Sequence, residues 1–198
     1  MVRHPEASGS NLWLADLARG GRTRFTYSKA VDDYPAWSPD GTKIAFSSTR
    51  GGHADLYQRA ANGAGEDELL LKSESDKYPW DWRRDGRFLL FHETNEMGGT
   101  NLAVLPMDGQ GQRKSVLFLG SEFFSVNARF SPDGRWVAYT SNESGSYEIY
   151  VRPFVALRSY NFIYAYRPIR AWRVHASDDL PCDGFRLKLP LRFLSTSI

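Results

Sequence analysis

With 198 residues, a net charge of +2, 24% charged and 41% hydrophobic side chains, the chain has the make-up of one soluble globular domain with a sizeable core. A single cysteine, Cys182, excludes an internal disulfide, and no apolar run approaches the ~20 residues of a membrane-crossing helix. The small net charge argues neither for nor against an acidic partner.

In chain order, Met1-Val2-Arg3-His4-Pro5 lacks the apolar stretch of a secretory signal. Two markers then recur in step. The first reads Trp37-Ser38-Pro39-Asp40-Gly41, Trp82-Arg83-Arg84-Asp85-Gly86 and Phe130-Ser131-Pro132-Asp133-Gly134, at spacings of 45 and 48 residues. The second reads Asn11-Leu12-Trp13, Asp55-Leu56-Tyr57, Asn101-Leu102-Ala103 and Glu148-Ile149-Tyr150, at spacings of 44, 46 and 47. One four-stranded propeller blade takes ~40–45 residues. In the best-formed period, strands are predicted over 34–37, 43–47, 55–59 and 68–71, separated by turn residues. The first repeat is read as lacking its opening two strands.

The Ser-Pro-Asp-Gly unit has a mechanical role. Pro presets φ at the first central turn position, Asp bonds nearby backbone and Gly accepts a positive φ. Runs such as Phe88-Leu89-Leu90-Phe91 suit sheets covered on both faces. Blades stacked around an axis bury those faces against one another. The expected fold is all-β: a β-propeller, incomplete or small, of about three to five blades of four antiparallel strands.

These phrases resemble the TolB-like propeller repeat, above all Trp37-Ser38-Pro39-Asp40-Gly41 with Ile44-Ala45-Phe46, and Phe130 to Tyr139 followed by Glu148-Ile149-Tyr150-Val151-Arg152-Pro153-Phe154. The same repeat occurs in kinase-associated sensor propellers and in the propellers of dipeptidyl- and prolyl-oligopeptidase-type enzymes. The resemblance covers about residues 8–154. It implies a binding role for protein or peptide partners, and a periplasmic or extracytoplasmic setting. The third copy departs from it by placing Arg83-Arg84 where Ser-Pro is usual.

Residues 1–154 are therefore read as blades, the first partial, and 155–198 as a separate segment. Residues 152–198 hold eight basic and three acidic side chains, no Glu and one glycine, Gly184. The tail is read either as a degenerate closing blade or as unrelated sequence. Its basic run reads as solvated surface, so no nucleic-acid partner is expected.

No cofactor or metal motif is present, and no Gly-x-Ser-x-Gly elbow. His92-Glu93-Thr94-Asn95-Glu96 ends in Glu rather than His and is read as a loop at a strand end, not a helical zinc motif. The candidate partner-binding residues, Asp33, Tyr34, Arg50, His53, Tyr78, His92, Glu93, Phe124 and Tyr147, come from loops expected at one end of the ring. Tyr34 and Tyr78 have a plainer reading as packing residues ahead of Pro35 and Pro79. The residues favour a non-enzymatic module over a hydrolase with a loop-built site or a peptidase's propeller. Chain association is one way to close the ring.

Overall fold

A computed structural model describes residues 2–6, 9–109 and 113–155, with the first five as backbone only. These residues form fourteen strands and no helix. β1 (Val2–Glu6), β2 (Gly9–Ala15) and β3 (Arg22–Arg24) make a three-stranded sheet. Two four-stranded sheets follow: β4 (Asp32–Trp37), β5 (Lys43–Gly51), β6 (His53–Ala60) and β7 (Glu68–Leu71), then β8 (Lys77–Trp82), β9 (Phe88–Thr94), β10 (Thr100–Pro106) and β11 (Val116–Leu119). A three-stranded sheet of β12 (Ser125–Phe130), β13 (Trp136–Ser141) and β14 (Glu148–Pro153) ends the series. All pairing within sheets is antiparallel between consecutive strands.

Each sheet is a blade. β2 packs on β4, β4 on β8 and β8 on β12, so the blades follow one another in chain order, with β4, β8 and β12 the innermost strands of the second, third and fourth. The first blade differs from the sequence reading: β1 pairs with β2 from Val2↔Trp13 to Glu6↔Gly9 and supplies the second strand of that blade. Val-Arg-His-Pro-Glu has neither a turn phrase ahead of it nor an apolar run, so strand pattern alone did not single it out. The tail beyond Val155 lies outside the described residues.

Side-chain alternation explains the cohesion. In β9, Phe88 and Leu90 join the core against the fourth blade, while Leu89 and Phe91 join the core against the second. In β5, Ile44 and Phe46 face the first blade and Ala45 the third. Both faces are thus dry. Full burial of one such side chain stabilises by roughly 1.5–3 kcal/mol. Phe154 closes the last of these cores, its ring 5.4 Å from Phe88, 5.9 Å from Phe118 and 5.0 Å from Phe130.

The Asp-Gly turns sit at one end, here the lower. Ser38 Oγ donates to Asp40 Oδ1 and accepts from Lys43 N–H; Ser131 does the same with Asp133 and Trp136. Gly41, Gly86 and Gly134 take φ of 70°, 76° and 67°, the left-handed region that the turn requires. Where the Trp82 phrase lacks Ser-Pro, Arg83 holds Asp85 by an ion pair instead.

Candidate functional site

The other end, here the upper, collects the loops between blades and the hairpins joining second to third strands. The second sequence marker explains its order. Asn101 Oδ1 accepts from Asn95 Nδ2 and Ser121 N–H, and Asp55 Oδ1 accepts from Ser73 N–H. The marker side chain is an acceptor that ties down the loop leaving its blade. At Asp55 the tie includes a charge: Lys77, only 1% exposed, places Nζ 3.1 Å from Asp55 Oδ1 and also donates to the Ser73 and Ser75 carbonyls. A buried Lys is tolerable only with such partners.

Each innermost strand carries an irregularity. Pairing skips from Asp33 to Ala36 in β4, from Pro79 to Asp81 in β8 and from Val126 to Arg129 in β12. Tyr34 and Asn127, three residues before the Trp37 and Phe130 of their phrases, take φ of 51° and 55°. Asn adopts this region readily, whereas Tyr is strained there. Pro79 holds the same place in β8 and its ring forbids a positive φ, so Trp80 alone is left out of the ladder. Bulges of this kind re-aim side chains.

Here they assemble an aromatic ledge. The Tyr34 ring lies 4.8 Å from Tyr78 and 5.3 Å, edge-on, from Trp80. His92 stacks on Trp80 at 5.5 Å and meets Tyr78 at 4.9 Å. Trp80 Nε1–H donates to His92 Nδ1 at 2.7 Å, which fixes the neutral imidazole with its proton on Nε2. Burial pushes the His92 pKa down to about 4 and raises that of Tyr78. Arg129 leans over Trp80 at 5.8 Å and donates to its carbonyl.

Of the residues that the sequence singled out, Tyr34, Tyr78 and His92 come together on this ledge. The structure places His92 and Glu93 inside β9 rather than in a loop, because the ladder with β10 runs on to Thr100↔Thr94. Asp33, Tyr34 and Tyr78 likewise lie in strands, and His53 opens β6. Burial raises the Glu93 pKa, and Lys77 and Asn101 oppose that shift. Arg50 lies apart, at 4.5 Å over the Tyr57 ring and bridging Asp32 and Asp67. His53 stands 3.5 Å from both Glu74 and Asp76. Phe124 and Tyr147 are 45% and 64% exposed on the upper loops. Trp80 and Arg129 were missed, and the signal was their place two and one residues before their phrases.

The acceptor nitrogen of His92 is occupied by Trp80, and His53 faces carboxylates, so neither of these two histidines is paired with a serine hydroxyl. No cluster of three metal-ligating side chains occurs among them, and no helix among them is long and apolar enough to cross a membrane.

Comparison with known proteins agrees with the blade architecture. The model of the TolB beta propeller domain (PD40) matches residues 2–122. An uncharacterized peptidase of Bacillus subtilis, YuxL, is 25% identical over 173 residues, covering 67% of this chain and 25% of that protein. Tricorn protease homolog 1 of Streptomyces coelicolor is 29% identical over 101 residues, covering 50% and 10% respectively. The chain thus spans a quarter or less of the length of these two relatives. Among solved structures, TolB from Acinetobacter baumannii superposes with a TM-score of 0.62 at 25% identity, over 76% of this chain and 37% of that one. A putative TolB from Agrobacterium tumefaciens gives 0.64 at 20% identity, over 72% and 51%. With its turn phrases, its buried marker acceptors and a family match across more than half its length, the chain belongs to the TolB beta propeller family.

Proposed function

We propose that this chain is a non-enzymatic module that binds protein or peptide at the upper end of its blades. The observation carrying the reading is the ledge of Tyr34, Tyr78 and Trp80, positioned by bulges that recur in three successive inner strands. Half-buried Tyr and Trp offer large rigid faces at low entropic cost, which suits them as anchors. A peptide array probed with the wild-type chain and with Tyr34→Ser and Trp80→Ser tests this. Capture of a defined peptide set that both substitutions abolish is expected. Capture by no peptide, or equal capture by all three proteins, overturns it.

A second reading is the propeller portion of a peptidase, favoured by the names of the two curated relatives and by how little of each the chain spans. Turnover of ester or peptide substrates by the purified chain, lost on His92→Ala, would select a hydrolase instead.

A further inference from the structure

The upper end is also chemically one-sided. Among the described residues its loops and adjoining strand ends hold ten carboxylates (Asp32, Asp33, Asp55, Glu74, Asp76, Glu93, Glu96, Glu122, Glu143 and Glu148) against five basic side chains, Arg24, Lys29, Arg50, Lys72 and Lys77. Two of those five face inward, Lys77 on Asp55 and Arg50 on Asp32 and Asp67. The lower end has the opposite balance, with Arg83, Arg84, Arg87, Arg113, Lys114 and Arg135 prominent.

At the acidic end of the third and fourth blades, four apolar side chains stand exposed: Met97 at 68%, Phe123 at 36%, Phe124 at 45% and Tyr147 at 64%. Carboxylates are interleaved with them in sequence, as Glu96-Met97 and Glu122-Phe123-Phe124, with Glu143 in the loop that carries Tyr147. The loops are bonded into one frame. Asn95 donates to the Ser121 carbonyl and accepts from Met97 and Gly99, Thr100 N–H donates to Phe123 O, and Phe124 N–H donates to Asn142. A Cβ on Gly99 would come within 2.5 Å of the Glu122 backbone, so the first two loops touch. The apolar residues are therefore held out to solvent by a preorganised scaffold, a state that hydrophobic patches keep when something covers them.

Resting on the binding role proposed above, we infer that the partner presents an amphipathic segment bearing several Lys or Arg side chains. Its apolar residues cover Met97, Phe123 and Phe124, and its cations meet Glu96, Glu122 and Glu143. Complementary rim charge speeds encounter and fixes register, while the apolar centre supplies affinity.

Two synthetic peptides with the same Leu and Trp positions, one carrying four Lys and the other four Glu, test this by titration calorimetry against the full chain. The lysine peptide is expected to bind, and the glutamate peptide not. Glu96→Gln/Glu122→Gln/Glu143→Gln should weaken the lysine peptide about tenfold, from exposed charge pairs of roughly 0.2–1 kcal/mol each. Higher salt should weaken it further. Circular dichroism of the triple variant must match wild type, and the substitutions lie in loops outside the cores. Equal binding of both peptides, or a triple variant within about twofold of wild type, overturns the inference. If neither peptide binds but the array yields ledge-dependent peptides, the charge assignment fails and the binding role stands. If neither peptide nor array shows binding, both fall.

Discussion

The backbone N–H of Phe124 donates to Asn142 Oδ1 at 2.9 Å, across 18 residues of chain. The same bond, with the same 18-residue span, joins Val31 to Thr49 Oγ1 and Asp76 to Thr94 Oγ1, each at 3.1 Å. In those two copies the return bond is present as well, Thr49 N–H to Val31 O and Thr94 N–H to Asp76 O. Every loop entering an inner strand is pinned in this way to the end of the neighbouring second strand. Asn142→Ala is expected to cost about 1 kcal/mol by denaturant unfolding and to speed hydrogen exchange at the Phe124 amide. An unchanged exchange rate would show that the pin is not holding the loop.

Lys77→Met should be far more damaging. It leaves the Asp55 carboxylate, which is 0% exposed, without its cation. Breaking a buried pair from one side costs about 3–5 kcal/mol. Denaturant unfolding measures this, and a loss below about 1 kcal/mol would mean that water reaches Asp55.

His92 links the ledge to pH. Its folded pKa is lowered from 6.5 to about 4, so between those values the unfolded chain binds more protons than the folded one. The stability from a neutral His92 is therefore complete above pH 6.5 and declines as pH falls toward 4. The loss approaches on the order of 3 kcal/mol at the acid end. His92→Phe should flatten that part of the stability-versus-pH curve, and a slope identical to wild type would assign it to other groups.

Asp40 works in a lower window. Bonds from Ser38 and from the N–H and hydroxyl of Thr42 bring its pKa from 3.8 to about 2. Its contribution is present above pH 3.8 and is lost as pH falls through 2. Asp133 is depressed by the equivalent bonds from Ser131 and Arg135. Carboxyl NMR titration should find both transitions well below those of ordinary aspartates, and Ser38→Ala should move that of Asp40 upward.

Phe154→Ala probes the last core. Three phenylalanine rings and the Arg83 guanidinium surround this side chain. Removing it should cost about 3–5 kcal/mol. A cost near zero would mean that the fourth blade is not seated on the third.

How much of this the residues announced depends on which force placed them. Strands β4 to β14 follow from turn chemistry, because Asp-Gly phrases and the Asn/Asp markers act locally. Strand β1 had no such punctuation. The ledge was half legible: Tyr34, Tyr78 and His92 were singled out, but Trp80 was not, since its exposure to its neighbours arises from a ladder irregularity set by Pro79. Lys77 resisted reading for another reason. Lysine is ordinarily a solvated residue, and only the three-dimensional meeting with Asp55 makes its burial tolerable.

Two dry faces have a price in specificity. A sheet with one wet side punishes a one-residue slip, because the slip turns its oily side chains outward. In β9 such a slip exchanges Phe88 and Leu90 for Leu89 and Phe91, and oil still meets oil. Correct alignment in this molecule is accordingly enforced from the ends of the strands, by polar clasps at the loops and turns. Swaps of one aliphatic side chain for another of like volume are therefore tolerated, while an insertion that shifts a clasp by one step misaligns a whole blade.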